Sequence, residues 1–211
     1  RKPVDSGTVV LPATGNNGKK AAGQKIYGAI HAPGNDPSVI TVGAANTFGT
    51  DARNDDGIAT FSSRGPTRSY STNAATGVKT YDNLIKPDLV APGNKLVSYK
   101  SPTNHMSEAN ASLNLDATNG GDSMMYMSGT SMSAPIVAGA AALLLQVNPH
   151  LTPGMIRMIL QYTAQPMAGV NNFEQGAGQL NLEGAVRLAR SLRTDVDFQT
   201  LTKGTPTVSR G

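Results

Sequence analysis

Residues 127–146 read "MSGTSMSAPIVAGAAALLLQ". Ser131 stands in a Gly-Thr-Ser-Met turn that runs straight into small and apolar residues. From Ala134 to Val147 the chain is apolar or small on every face, which predicts a helix buried all round. The start of such a helix is a place for chemistry. Its unbonded N–H groups and the positive end of its dipole stabilise negative charge developing on an attacked carbonyl. Gly129 would let the backbone come close to a substrate, and Pro135 is expected in the first helical turn, where no N–H bond is lost. A serine hydroxyl also needs an adjacent base to take its proton. Taken alone, a serine after glycine near a helix start is usually just an N-cap.

Working outward, the first half alternates short apolar runs with turn residues. Thr8–Leu11 is β-rich and ends in "PATGNNG", whose glycines and asparagines force a turn. Val39–Ala44 is nearly continuous in apolar character, as for a strand covered on both faces. Ile58–Phe61, Leu89–Ala91 and Lys95–Tyr99 are shorter strand candidates. Two polar stretches, 67–83 and 102–122, are expected to be solvent-exposed insertions. The second half is helical. Thr152 is a predicted N-cap with Pro153 at the first helical position, and Ile156, Ile159 and Leu160 share one face. A further helix starts near Asn181, with Leu182, Ala185, Val186 and Ala189 at helical spacing. Strands followed by helices that pack on them predict an α/β layered sheet. Residues 1–193 form the expected domain, and 194–211 a polar surface tail.

Composition narrows the function. There is no cysteine, which excludes disulfides, thiolate metal sites and thiol catalysis. The net charge of +4 is spread without arginine clusters interleaved with aromatics, so no nucleic-acid partner is expected. The apolar run Ala134–Leu145 is too short to span a bilayer, and "RKPVDSGTVV" does not read as a signal peptide. The chain is expected to begin inside a fold.

The string Gly129-Thr130-Ser131-Met132-Ser133-Ala134-Pro135, followed by Val137-Ala138-Gly139, resembles the nucleophile motif of the subtilisin-like serine proteases. It does not fit an α/β-hydrolase elbow, which needs glycine where Ser133 stands. "ATGNNG" looks like the family's oxyanion turn, which would make Asn16 a side-chain donor to the tetrahedral intermediate. "PSVITVGA" (37–44), "FSSRGP" (61–66), "KPDLVAPG" (86–93), "NPHLTP" (148–153) and "QGAGQLN" (175–181) continue the likeness in the family's order. It covers Val9 to Ala189. The resemblance implies a three-layer subtilisin-like fold with a mostly parallel sheet between helices, of which this chain is the C-terminal portion. It also implies a polypeptide substrate and export from the cell. The wall of the pocket for the side chain before the cut would include Ala13, Thr14 and Gly15. Ser128 and Gly129 would lie nearby, with Ile30 or His31 as floor; the plainer alternative makes all of these ordinary turn and core positions.

In this family the order is Asp, His, Asn, Ser, and only 15 residues precede Asn16 here. Asp5-Ser6-Gly7 matches the aspartate triplet but lies too close to the oxyanion turn, and is expected to be a loop. His31, His105 and His150 all lack the glycine-rich setting of the family's base. Two explanations remain. Either a further part of the protein supplies His and Asp, or the domain is a non-catalytic binding or scaffold module. No cofactor is expected. Asp51, Asp55 and Asp56 could hold calcium, although a solvated acidic turn is the better reading.

Overall fold

Segments far apart in sequence must meet to build a sheet under Ser131. The computed structural model describes residues 2–115 and 123–208. In chain order its elements are α1 (Lys2–Asp5), β1 (Val42–Asn46), β2 (Gly57–Ile58), β3 (Tyr70–Thr72), β4 (Lys79–Tyr81), β5 (Leu89–Pro92) and β6 (Leu96–Tyr99). There follow α2 (His105–Ala109), β7 (Asn114–Leu115), β8 (Met124–Met127), α3 (Thr130–Val147), α4 (Pro153–Thr163), α5 (Asn172–Gln175) and α6 (Leu182–Ser191). The chain is an α/β fold. Its central sheet has β1 between β5, parallel to it, and β2, antiparallel. A second, antiparallel sheet places β8 between β6 and β7.

Residues 10–13 extend the central sheet on the side of β1. The carbonyls of Val10 and Pro12 accept from the N–H groups of Ile40 and Val42, and Ala13 bridges Val42 in parallel. The expected strand Thr8–Leu11 is thus an extended edge segment and not a full ladder. Pro12 has no N–H to give, and the outer backbone edge of residues 9–13 has no partner among the described residues. The strand expected at Val39–Ala44 starts three residues later. The preceding backbone groups are claimed elsewhere: Thr41 N–H by Asp88 Oδ2, and the Val39 carbonyl by Lys86 Nζ.

The main core lies between sheet and helices. Val42, Leu89 and Ala91 meet Val137, Ala140, Ala141 and Leu144 of α3, with Ile156, Ile159 and Leu160 of α4 and Ala185 and Ala189 of α6. Each large side chain withdrawn from water here contributes about 1.5–3 kcal/mol. The α4 start is capped as its sequence predicts, Thr152 Oγ1 accepting from Met155 N–H; α6 starts next to Asn181 as expected, and Asn181 Oδ1 caps it by accepting from Gly184 N–H.

Helix α3 departs from expectation twice. It begins at Thr130, so Pro135 is its sixth residue and leaves the Ser131 carbonyl without the usual donor four residues on. Nor is it buried all round: Ser131, Pro135, Ala138, Gly139, Ala142, Leu143 and Gln146 form an exposed stripe along one side. Apolar character marks a face that gains from being covered. These residues of the chain cover only the opposite face. Helix α3 is also long and apolar enough to cross a membrane by length and composition alone, yet Val137, Ala140, Ala141 and Leu144 pack it onto the sheet.

The two expected insertions carry structure of their own. Residues 67–83 contain the exposed hairpin β3–β4, where the Tyr70 and Tyr81 rings stack edge to face with centroids 5.5 Å apart. Of 102–122, residues up to 115 form α2, a 3₁₀ turn (Ala111–Leu113) and β7, which pairs with β8; residues 116–122 lie outside the described ones. Asp5 closes the one-turn helix α1, ahead of a turn at Ser6–Gly7. Residues 192–208 fold back on the body. Leu192 pairs with Val208, and Phe198 packs against the core.

Candidate active site

The site assembles where the edge segment 13–17 meets the N-terminus of α3. Gly129 adopts φ 155° before the helix, and a Cβ there would stand 3.4 Å from Asn16 Nδ2 and 3.3 Å from Met132 Sδ. The backbone conformation therefore favours glycine here, and Asn16 comes within contact distance of it. Asn16 Oδ1 accepts two hydrogen bonds, from the N–H and from the Oγ1 of Thr130, each 3.0 Å long. With the oxygen so anchored, the NH₂ group is the end of the carboxamide left to donate, beside Gly129. Thr130 is fully buried, and its Oγ1 also accepts from Gly15 N–H at 3.3 Å. One threonine thus ties the oxyanion turn to the nucleophile turn. Sequence reasoning passed over Thr130, because its partner lies 114 residues away.

Ser131 is exposed, and its Oγ has no hydrogen-bond partner among the described residues. As the second residue of α3 it presents its N–H among those with no intrahelical acceptor. The Ser131 N–H and Asn16 Nδ2 are therefore two donors left open at the start of α3, an arrangement suited to a developing oxyanion.

Of the expected pocket residues, Ala13, Thr14, Gly15 and His31 come together. His31 N–H donates to the Thr14 carbonyl at 3.0 Å, and a Cβ on Gly15 (φ +103°) would lie 2.9 Å from the imidazole. The ring therefore lies against Gly15, and its Nε2 is 2.9 Å from Asn17 Nδ2. Asn17 N–H donates to Ser63 Oγ, and the Gly15 carbonyl accepts from Ser63 N–H, which fixes the wall from behind. Ile30 is half-buried beside His31. Ser128 goes elsewhere: its Oγ accepts from Lys95 N–H at 2.9 Å and donates to Asn94.

None of the three histidines engages Ser131. His31 is committed to Asn17, His105 pairs with Glu108 at 3.2 Å, and His150 sits exposed in the α3–α4 connection. Asp51, Asp55 and Asp56 do not converge either. Asp55 accepts from Thr50, and Asp56 Oδ1 is buried without a partner. Among the described residues, no group of three or more His, Asp or Glu side chains could hold a metal ion.

A second polar cluster supports the sheet. Asp88 Oδ2 accepts from Lys86 Nζ (2.6 Å) and Thr41 N–H (2.7 Å), while Oδ1 accepts from Arg157 (2.7 Å) and Gln161 (3.1 Å). Burial pushes the Lys86 ammonium below its ordinary pKa, and Asp88 opposes the shift. Further along, Glu174 receives Arg64 Nε at 2.9 Å and Lys25 Nζ at 2.8 Å. Burial pushes its carboxyl up, but the bond and charge of Lys25, the Asn171 N–H and Arg64 together hold it below its ordinary value.

The family model described as Peptidase_S8, Subtilase family, matches residues 1–181. Serine protease AprX of Bacillus subtilis is 36% identical over 181 residues, covering 86% of this chain and 36% of its own length. An extracellular protease of Xanthomonas campestris is 31% identical over 213 residues, covering 99% of this chain and 29% of the relative. The crystal structure of fervidolysin from Fervidobacterium pennivorans, a keratinolytic enzyme related to subtilisin, aligns with a TM-score of 0.61 at 28% identity. That alignment covers 87% of this chain and 23% of the other. The chain thus spans about a third of the curated relatives it matches, or less.

Proposed function

This chain belongs to the subtilase family, and from that premise we propose that it is the C-terminal part of a serine endopeptidase's catalytic domain. Ser131 Oγ attacks the carbonyl carbon of a peptide bond and passes its proton to an imidazole. The carbonyl oxygen, now negative, is held by Asn16 Nδ2 and the Ser131 N–H. Collapse expels the amine, which takes the proton from the imidazole, and leaves an acyl-enzyme that water hydrolyses. The side chain before the cut lies along Ala13–Gly15, over His31 and beside Gly129. The protein acts outside the cell, as the name of the Xanthomonas relative says of that protein.

The observation that carries this reading is the Asn16 carboxamide, clamped through its oxygen by Thr130 so that its NH₂ is left to donate beside Gly129. The imidazole and its orienting aspartate belong to a part of the protein outside these 211 residues. Two features support such a partner: the unpaired outer edge of residues 9–13 and the exposed stripe on α3. They suit an added strand and a packed layer, respectively.

A fluorophosphonate probe tests the reading. Full-length protein should label at Ser131 and lose labelling in Ser131→Ala, whereas the 211-residue chain alone should label negligibly. Rapid stoichiometric labelling of the isolated chain would put the base among its three histidines. Full-length protein that stays unlabelled and does not hydrolyse peptides would leave the other reading, a binding or scaffold domain on the same fold.

A further inference from the structure

A second cleft opens on the far side of the nucleophile turn. It encloses about 660 Å³ and includes Ser128, but none of Ala13, Thr14, Gly15 or Asn16. One wall comes from the 3₁₀ turn of the 102–122 insertion, through Ser112 and Leu113. Opposite stand Phe48, from the β1–β2 connection, and Lys95, from the β5–β6 turn.

Phe48 and Lys95 share an unusual backbone. Both have φ of +52°, in the left-handed region that side-chain-bearing residues rarely adopt. Such strain persists only where the surroundings fix it, and it gathers at binding sites. Here one network does the fixing. Phe48 N–H donates to Asn46 Oδ1 at 3.2 Å, and Asn94 Nδ2 donates to the same oxygen at 2.9 Å. Ser128 Oγ donates to Asn94 Oδ1 at 3.3 Å and accepts from Lys95 N–H at 2.9 Å. The two strained residues are thereby locked to the turn that carries Ser131, three positions on. The arrangement leaves the Phe48 side chain in water, with the residue 65% exposed. Among the described residues, Lys95 is the only charged side chain lining the cleft, and no carboxylate pairs with it.

An exposed aromatic ring beside an unpaired ammonium matches a side chain with a short apolar stem and an anionic tip. We propose that this cleft is a second substrate subsite. It takes an aspartate or glutamate of the polypeptide, outside the residue that enters the Ala13–Gly15 pocket, with the carboxylate on Lys95 and the stem against Phe48. The substrate class rests on the protease reading above; the anion selectivity rests on the cleft.

The test uses the full-length protein and two readouts. In the first, a peptide set scanning Asp, Asn and Lys at each position around the cut is assayed for kcat/KM. At one position outside the Ala13–Gly15 pocket, the acidic peptide should exceed its Asn counterpart by about 3- to 10-fold, mainly through KM and less so in high salt. Lys95→Asn, a residue that tolerates left-handed backbone, should bring that ratio to about one, and Lys95→Glu should invert it in favour of the Lys peptide. The second readout is direct binding of the Asp and Asn peptides to the Ser131→Ala protein, with the same loss of preference in the Lys95 variants. Cleavage with an acidic preference that Lys95→Glu leaves untouched would overturn the subsite. So would binding that does not distinguish Asp from Asn. Absence of cleavage together with charge-selective binding would instead reject the protease reading and keep the cleft.

Discussion

The surroundings of Asp88 and of Ser131 are built in opposite ways. Asp88 is buried, and both its oxygens are occupied by donors from three parts of the chain: Lys86, Thr41, and Arg157 with Gln161 of α4. Ser131 is exposed, and its hydroxyl bonds to nothing among the described residues. What is saturated around Asp88 is inside this chain. What is left open around Ser131 is free, on the reading proposed above, to meet a substrate and a partner. The difference separates the residues that hold the scaffold from those that wait for something to bind.

The largest expected effect falls on the saturated side. Asp88→Ala should destabilise the full-length protein by about 3–5 kcal/mol, because Lys86 would be left as a fully buried cation without its counter-ion. Thermal or urea unfolding measures it. A loss below about 1 kcal/mol would mean that the cluster is not what welds β5 to α4, and the contrast with Ser131 would dissolve.

On the open side, Asn16→Ala should leave the fold unchanged and lower kcat by about 100- to 1,000-fold, the scale found in subtilisin for loss of its own oxyanion-hole asparagine. KM should move little, since the donor acts on charge that appears only in the transition state. An equal rise in KM would mean that Asn16 merely binds substrate.

Thr130→Val sharpens the same point. Thr130 touches no reacting atom; it positions Asn16 through its N–H and Oγ1. Removing the hydroxyl while keeping the N–H should cost about 10-fold in kcat with KM unchanged, since one of two charge-neutral bonds is lost. Thr130→Ser should restore the rate. Failure of serine to rescue would show that the buried methyl, and not the hydroxyl, is what matters.

How far these roles could be read from sequence follows from the range of the signal. The caps at Thr152 and Asn181 act within three residues, and both helices start where the sequence places them. The asparagine of "ATGNNG" and the serine of "GTSMSAP" were legible as motifs, but the threonine that joins them was not, because its partner lies 114 residues off. The helix after Ser131 was legible as a helix. Its burial was not, since hydropathy records which faces gain from cover and says nothing of which chain covers them. The β1 start was misplaced for a related reason. At Val39–Thr41 the apolar pattern is strand-like, but Asp88 and Lys86 take the backbone groups a ladder would need.

The smallest effect is one of pH, at Glu174, where the scaffold meets solvent. Its carboxyl is held below its ordinary value of 4.5, so the folded protein binds fewer protons there than the unfolded chain does. The stabilisation is therefore present above about pH 4.5 and is lost as pH falls through the depressed folded-state value. Glu174→Gln removes the charge and keeps the shape. The Tm gap between wild type and Glu174→Gln should be widest near neutrality and close as the solution is acidified below that point. Salt should narrow the gap at neutral pH only in part, because Lys25 has 59% of its side chain exposed and is screened, whereas Arg64 at 3% is not. A gap independent of pH would mean that the capping bond to Asn171, which an amide also makes, and not the charge, is what Glu174 contributes.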